Sequence, residues 1–63
     1  MTVIETTKRT IIVTDSFQEI MEKTTYSDDF IGLTEDTSKW EYGERKISIN
    51  KNYITEVYSI KGI

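Results

Sequence analysis

Trp40 and Tyr42, set among Lys39, Arg45 and Lys46, are the residues of this chain whose types and spacing could do chemistry of recognition. Rings interleaved with cations can stack nucleobases while the cations meet phosphates. The same composition anchors protein interfaces, where Trp, Tyr and Arg dominate the binding energy. A third use is architectural, with Trp40 folded over one end of a small core as a lid. Catalytic chemistry has less to work with. The chain contains neither His nor Cys, so the usual proton shuttle and the usual soft nucleophile are both missing, and no enzyme is expected. The carboxylates Asp15, Glu19, Glu22, Asp28, Asp29, Glu35 and Asp36 fall in turns or on polar faces, where solvation is the default. Asp28, Asp29, Glu35 and Asp36 could in principle offer oxygen ligands to Ca²⁺ or Mg²⁺. Their spacing matches no metal-binding loop, and we expect no metal or other cofactor.

The elements that must position these residues are strands. Ten Ile, three Val and ten Thr stand in a chain with no Ala and a single Leu, Leu33. β-Branched side chains lose rotamer freedom in a helix and pack well on a pleated surface. The expected fold is therefore all-β with at most one short helical turn, a small four- to five-stranded SH3-like barrel or a strongly bent antiparallel sheet. Nothing divides the chain, which has no Pro and no low-complexity tract, so residues 1–63 are read as one domain.

Thr10 to Thr14 reads as a buried strand, preceded by a looser extended segment from Thr2 to Thr6. Residues 16–26 are ambiguous. Ser16 and Glu19 have capping-box spacing, and Phe17, Ile20, Met21 and Thr24 share a helical face, whereas Thr24, Thr25 and Tyr26 favour a strand. Ser27, Asp28 and Asp29 signal a turn before a strand from Phe30 to Thr34, in which Gly32 suggests a bulge or a close backbone approach. Residues 35–46 read as a long polar connection with Gly43 at its bend. Ile47 and Ile49 alternate with polar neighbours in a half-buried strand, Asn50, Lys51 and Asn52 form a tight turn, and Tyr53 to Ile60 resumes as a strand.

The run Phe30 to Asp36, the strand Lys46 to Ile49, the Asn50 to Asn52 turn and the strand Ile54 to Val57 together resemble the last three strands of an SH3-like barrel. They are similar in particular to the Sm-like barrel of the Hfq type. That resemblance covers about half of the chain. It implies Lys51 and Asn52 at an RNA-binding turn, with Ile54 and Val57 pointing into the core.

A chain of 63 residues supplies a core worth only roughly 3–5 kcal/mol, and small domains usually add a disulfide, a metal or a partner. Without Cys or His, a partner subunit or binding to something larger is what remains, and the lack of Cys fits a reducing compartment. No signal peptide and no membrane span are expected, and a cytoplasmic location follows. The net charge of −3 is uneven: residues 1–38 carry three basic and eight acidic side chains, residues 39–63 five basic and three acidic. An acidic balance weighs against nucleic acid, because phosphate neutralisation supplies most of such affinity. The expected function is a non-catalytic interaction module that binds a protein or assembles with itself, through Trp40, Tyr42, Arg45 and Lys46 and through the C-terminal strand. An Sm-like RNA- or DNA-binding protein using Lys51, Asn52, Arg45 and Lys46 is the alternative. A weaker alternative is an acidic inhibitor whose carboxylates in residues 15–36 occupy another protein's nucleic-acid site.

Overall fold

The computed structural model describes residues 1–37 and 43–60. Trp40 and Tyr42, with the rest of 38–42, lie outside the described residues. Five strands, one helix and one 3₁₀ turn follow in the order β1 (Thr2–Thr6), β2 (Thr10–Val13), α1 (Phe17–Tyr26), β3 (Phe30–Thr37), β4 (Gly43–Asn50), η1 (Lys51–Tyr53) and β5 (Ile54–Ser59). The strands form one antiparallel sheet in the order β4-β3-β2-β1-β5. The all-β expectation with a single short helix is met.

The sheet has to curl. Laid flat, its outer strands β4 and β5 would stand about 19 Å apart, four spacings of 4.7–4.9 Å. The chain passes from β4 to β5 through η1 alone, and three residues of 3₁₀ helix rise only about 6 Å. The two outer strands must therefore approach each other at this end. The inward-facing residues Ile4, Ile11, Val13, Ile31 and Leu33 are enclosed by the curl, and Ile20 from α1 completes the buried cluster. Ile47, Ile49, Ile54 and Val57, from the two outer strands, pack against it but stay half-covered.

The ambiguous stretch 16–26 resolves as helix. Ser16 is extended and caps the helix: its hydroxyl accepts from the Glu19 N–H at 3.1 Å, and the Glu19 carboxylate accepts from the Ser16 N–H at 3.0 Å. The hydroxyls of Thr24 and Thr25 both donate to the Met21 carbonyl, which lets two β-branched residues sit in the last turn. The far end is held by a side chain remote in sequence. The Lys51 ammonium donates to the carbonyls of Thr24 and Ser27, a cation placed where the helix exposes unpaired carbonyls.

Three further details differ from the sequence reading. The long polar connection is shorter than residues 35–46, because β3 and β4 stay paired from Phe30 with Asn50 to Thr37 with Gly43. Gly43 has a φ of 73°, a left-handed conformation that favours glycine. Gly32 makes no bulge and sits in register with Ser48, with open space where a Cβ would stand. What approaches its backbone is an ammonium, since Lys23 Nζ donates to the Gly32 carbonyl at 2.7 Å. Finally, the turn at Asn50 to Asn52 is the start of η1, with the Asn50 side chain accepting from the Asn52 N–H.

On the outer face Glu5 accepts from the Thr10 hydroxyl at 2.8 Å and the Tyr58 hydroxyl at 3.2 Å, and lies directly opposite Glu56. Desolvation, then the hydrogen bond and charge of Glu5 and the charge of Glu56, push the Tyr58 phenol above its ordinary value. Like charges directly opposed across a sheet are destabilising. Glu56→Lys is expected to raise the midpoint of thermal unfolding at neutral pH; an unchanged or lower midpoint would show that the repulsion is already screened.

Candidate interaction groove

The β1–β2 turn is organised by one hydroxyl. Thr6 Oγ1 accepts from the N–H groups of Lys8 and Arg9 and donates to the Arg9 carbonyl, while the Thr6 N–H donates to the same carbonyl at 2.9 Å. This closure fixes the backbone from which Lys8 and Arg9 extend. The turn is docked on η1 by the Thr7 N–H, which donates to the Tyr53 carbonyl at 3.0 Å. The start of β3 is tied to the same place, since the Lys51 N–H donates to the Asp29 carbonyl at 2.8 Å.

Where these three segments meet, a groove of about 360 Å³ opens. Ile11 and Ile49 contribute apolar surface, and Thr6, Ser48 and Asn50 contribute polar groups. Phe30 and Tyr53 line it and are 62% and 50% exposed; the other described aromatics are exposed too, and what sets these two apart is that they share one groove with two cations. Lys8 and Arg9 supply its charge. The Lys8 ammonium stands 5.8 Å from the centroid of the Tyr53 ring, within cation–π range. Arg9 Nη1 is 3.6 Å from Glu35 Oε2.

Glu35 departs from the solvated-carboxylate expectation. Its side chain is 4% exposed and its other oxygen accepts from Arg45 Nε at 2.7 Å. β3 buries alternate residues, and Glu35 follows Ile31 and Leu33 on the inward face. Charge alone predicted a surface residue; the register made it an internal brace between two arginines.

Asp15 is also drawn inward. It accepts from the Thr34 N–H at 2.8 Å and from Lys23 Nζ at 3.2 Å, and its carbonyl accepts from the Thr2 hydroxyl at 2.8 Å. It thus ties β1, α1 and β3 together where β2 and β3 share a single register pair, Val13 with Glu35. Burial pushes its carboxyl up, but the Thr34 N–H together with the hydrogen bond and charge of Lys23 outweighs this and holds it below the usual 3.8. The capping hydrogen bonds from Ser16 lower Glu19 in the same way. Because both folded-state values are depressed, their stabilisation is present above the unfolded values, 3.8 and 4.5, and is lost as pH falls through the folded ones. Asp15→Asn is expected to be less stable than the parent at neutral pH and equal to it once both carboxylates are protonated. Urea midpoints measured across this range check it; a gap that persists in strong acid would show a steric effect instead.

The residues singled out from sequence are dispersed. Arg45 is on β4 and committed to Glu35; Lys46, on the opposite face of the same strand, reaches the Thr34 hydroxyl at 3.4 Å. Lys46 lines a second groove of about 300 Å³ with Asp15, Lys23 and Thr34, in which Asp15 and Lys23 pair with each other. Lys51 is used up on the end of α1, and Asn52 Nδ2 lies 3.4 Å from Asp29 Oδ1. Lys51 lies six positions after Arg45, about 20 Å along extended backbone. Trp40 and Tyr42 are outside the described residues. Asp29 precedes β3 and Glu35 lies within it, six positions on, and among the described residues no group of three metal-ligating side chains is assembled.

The groove residues Lys8, Arg9, Phe30 and Tyr53 were missed. One signal pointed to part of them: Lys8-Arg9 is the only adjacent basic pair in the acidic first part of the chain, set between two β-branched runs. No protein-family model, curated protein or solved structure matches this chain. Among the described residues, no helix is long and apolar enough to cross a membrane.

Proposed function

We propose that this protein is a non-catalytic interaction module that binds a protein partner through the groove between the β1–β2 turn, the start of β3 and η1. One observation carries the reading: two exposed rings, Phe30 and Tyr53, stand with two cations, Lys8 and Arg9, around apolar surface. That is the composition of interface hot spots, which are rich in aromatics and Arg. An SH3-like barrel and a cytosolic location belong to the same proposal; the forced curl of the sheet supports the first, and the absence of Cys the second. A photo-crosslinking residue placed at Phe30 or at Tyr53 is expected to capture one and the same protein, and one placed at Tyr58, on the outer face, is not. Equal capture from all three positions would overturn the proposal.

Self-assembly is the second reading, and the half-covered Ile47, Ile49, Ile54 and Val57 of the outer strands favour it. Such edges invite pairing with another chain. The mass in solution is then expected to exceed 7.4 kDa; a folded monomer throughout a dilution series excludes it. The nucleic-acid reading has less support, since Lys51, Arg45 and Lys46 face separate places. So does the acidic inhibitor, because Asp15 and Glu35 are turned inward and paired.

A further inference from the structure

We infer that the groove takes an extended peptide segment bearing an acidic side chain next to an aromatic or aliphatic one, with the carboxylate on Arg9 and Lys8 and the apolar side chain between Phe30 and Tyr53. The inference rests on the groove being the binding site, as proposed above. Its first support is charge. The chain is acidic overall, with 11 carboxylate side chains against 8 cationic ones, yet the groove lining holds two cations and no carboxylate. An anionic ligand is therefore the complementary one.

The second support is the state of Arg9. Its guanidinium is steered by Glu35, which Arg45 in turn anchors at 2.7 Å. The Arg9 contact, at 3.6 Å, is a charge contact longer than a hydrogen bond. Among the described residues the Arg9 side chain donates no hydrogen bond, so its planar fork remains available to grip a carboxylate with two parallel bonds. Holding the side chain beforehand lowers the entropy lost on binding.

The third support is shape. About 360 Å³ lies at the small end of ligand-binding pockets, which run from about 300 to 1,000 Å³. This suits a pair of side chains rather than a helix. Ser48, Ile49 and Asn50, which line it, close one wall at the end of β4, and Phe30 and Tyr53 stand at its rim. A nucleic acid strand fits less well, since it brings a phosphate with every nucleotide and meets only two cations here.

The test uses the whole chain, labelled with ¹⁵N, and four probes: a capped hexapeptide alternating Asp with Phe, its Asn and Lys counterparts, and a decamer of uridine. The Asp peptide is expected to shift the backbone amides of Lys8, Arg9, Phe30, Ile49 and Tyr53. Affinity is expected to fall at least tenfold for the Asn peptide, and likewise for Arg9→Gln with the Asp peptide. Lys8→Gln removes an ammonium that stands 5.8 Å from the Tyr53 ring centroid and, among the described residues, forms no ion pair; it is expected to weaken binding several-fold without disturbing Glu35, and so guards against a folding defect in Arg9→Gln. Equal binding of Asp and Asn peptides would overturn the acidic preference and leave the groove reading standing. Shifts confined to other surfaces would overturn both. Tighter binding of the uridine decamer at the same amides would replace the peptide by nucleic acid, and no shift with any probe at millimolar concentration would overturn the inference outright.

Discussion

Ile20→Ala is expected to leave most of the chain unfolded at 25 °C. Ile20 is the one fully buried residue of α1 and joins the helix to Ile4, Ile11, Val13, Ile31 and Leu33. Removing so large a buried side chain costs about 2–5 kcal/mol, from lost transfer energy and from the cavity left behind. A core of this size supplies roughly 3–5 kcal/mol in total. The two quantities are equal in scale, which is why one substitution suffices. The loss of α1 would also release its brace on the sheet, since Lys51 grips the helix end and Asp15 lies just before its cap. Far-ultraviolet circular dichroism and a urea titration measure the effect. Ile20→Val, which removes one methyl group, is expected to cost only about 0.5–1.5 kcal/mol and to stay folded. A parent-like urea midpoint for Ile20→Ala would mean that the helix contributes little to the fold.

The second large effect concerns the buried carboxylate. Glu35 and its two arginines are not equivalent partners: the Glu35 side chain is 4% exposed, those of Arg9 and Arg45 47% and 55%. Removing the carboxylate leaves two cations that can rehydrate. Removing both cations leaves a carboxylate shut away from water with no counter-charge, a change that typically costs about 3–5 kcal/mol. The double variant Arg9→Gln/Arg45→Gln is therefore expected to be clearly less stable than Glu35→Gln. Arg9→Gln alone keeps the closer Arg45 contact and is expected to remain folded. Equal losses in the double variant and in Glu35→Gln, measured by urea unfolding at neutral pH, would show that the carboxylate reaches water once the arginines are gone.

How much of this was legible before folding depended on the range of the forces involved. The β-branched excess and the alternation of Ile47 and Ile49 specified strands, because strand preference is a local matter of side-chain branching and burial. The Ser16 and Glu19 spacing specified where a helix could begin, since a capping box closes within four residues. It did not settle whether the helix would form. Burial of Ile20 and the grip of Lys51 decided that, and both come from elements distant in sequence. Glu35 was half legible. Its position two residues beyond Leu33 put it on the inward face, but a charge is turned inward only when partners meet it there, and Arg9 and Arg45 arrive from other strands. The groove was decided by tertiary structure alone. Lys8 and Arg9, Phe30, and Tyr53 belong to three separate turns and strand ends, and apart from the adjacent Lys8-Arg9 pair nothing in their own stretches of sequence marks them. They meet because a single 3₁₀ turn must join the two outer strands of a five-stranded sheet, and only a curled sheet brings those strands within its reach.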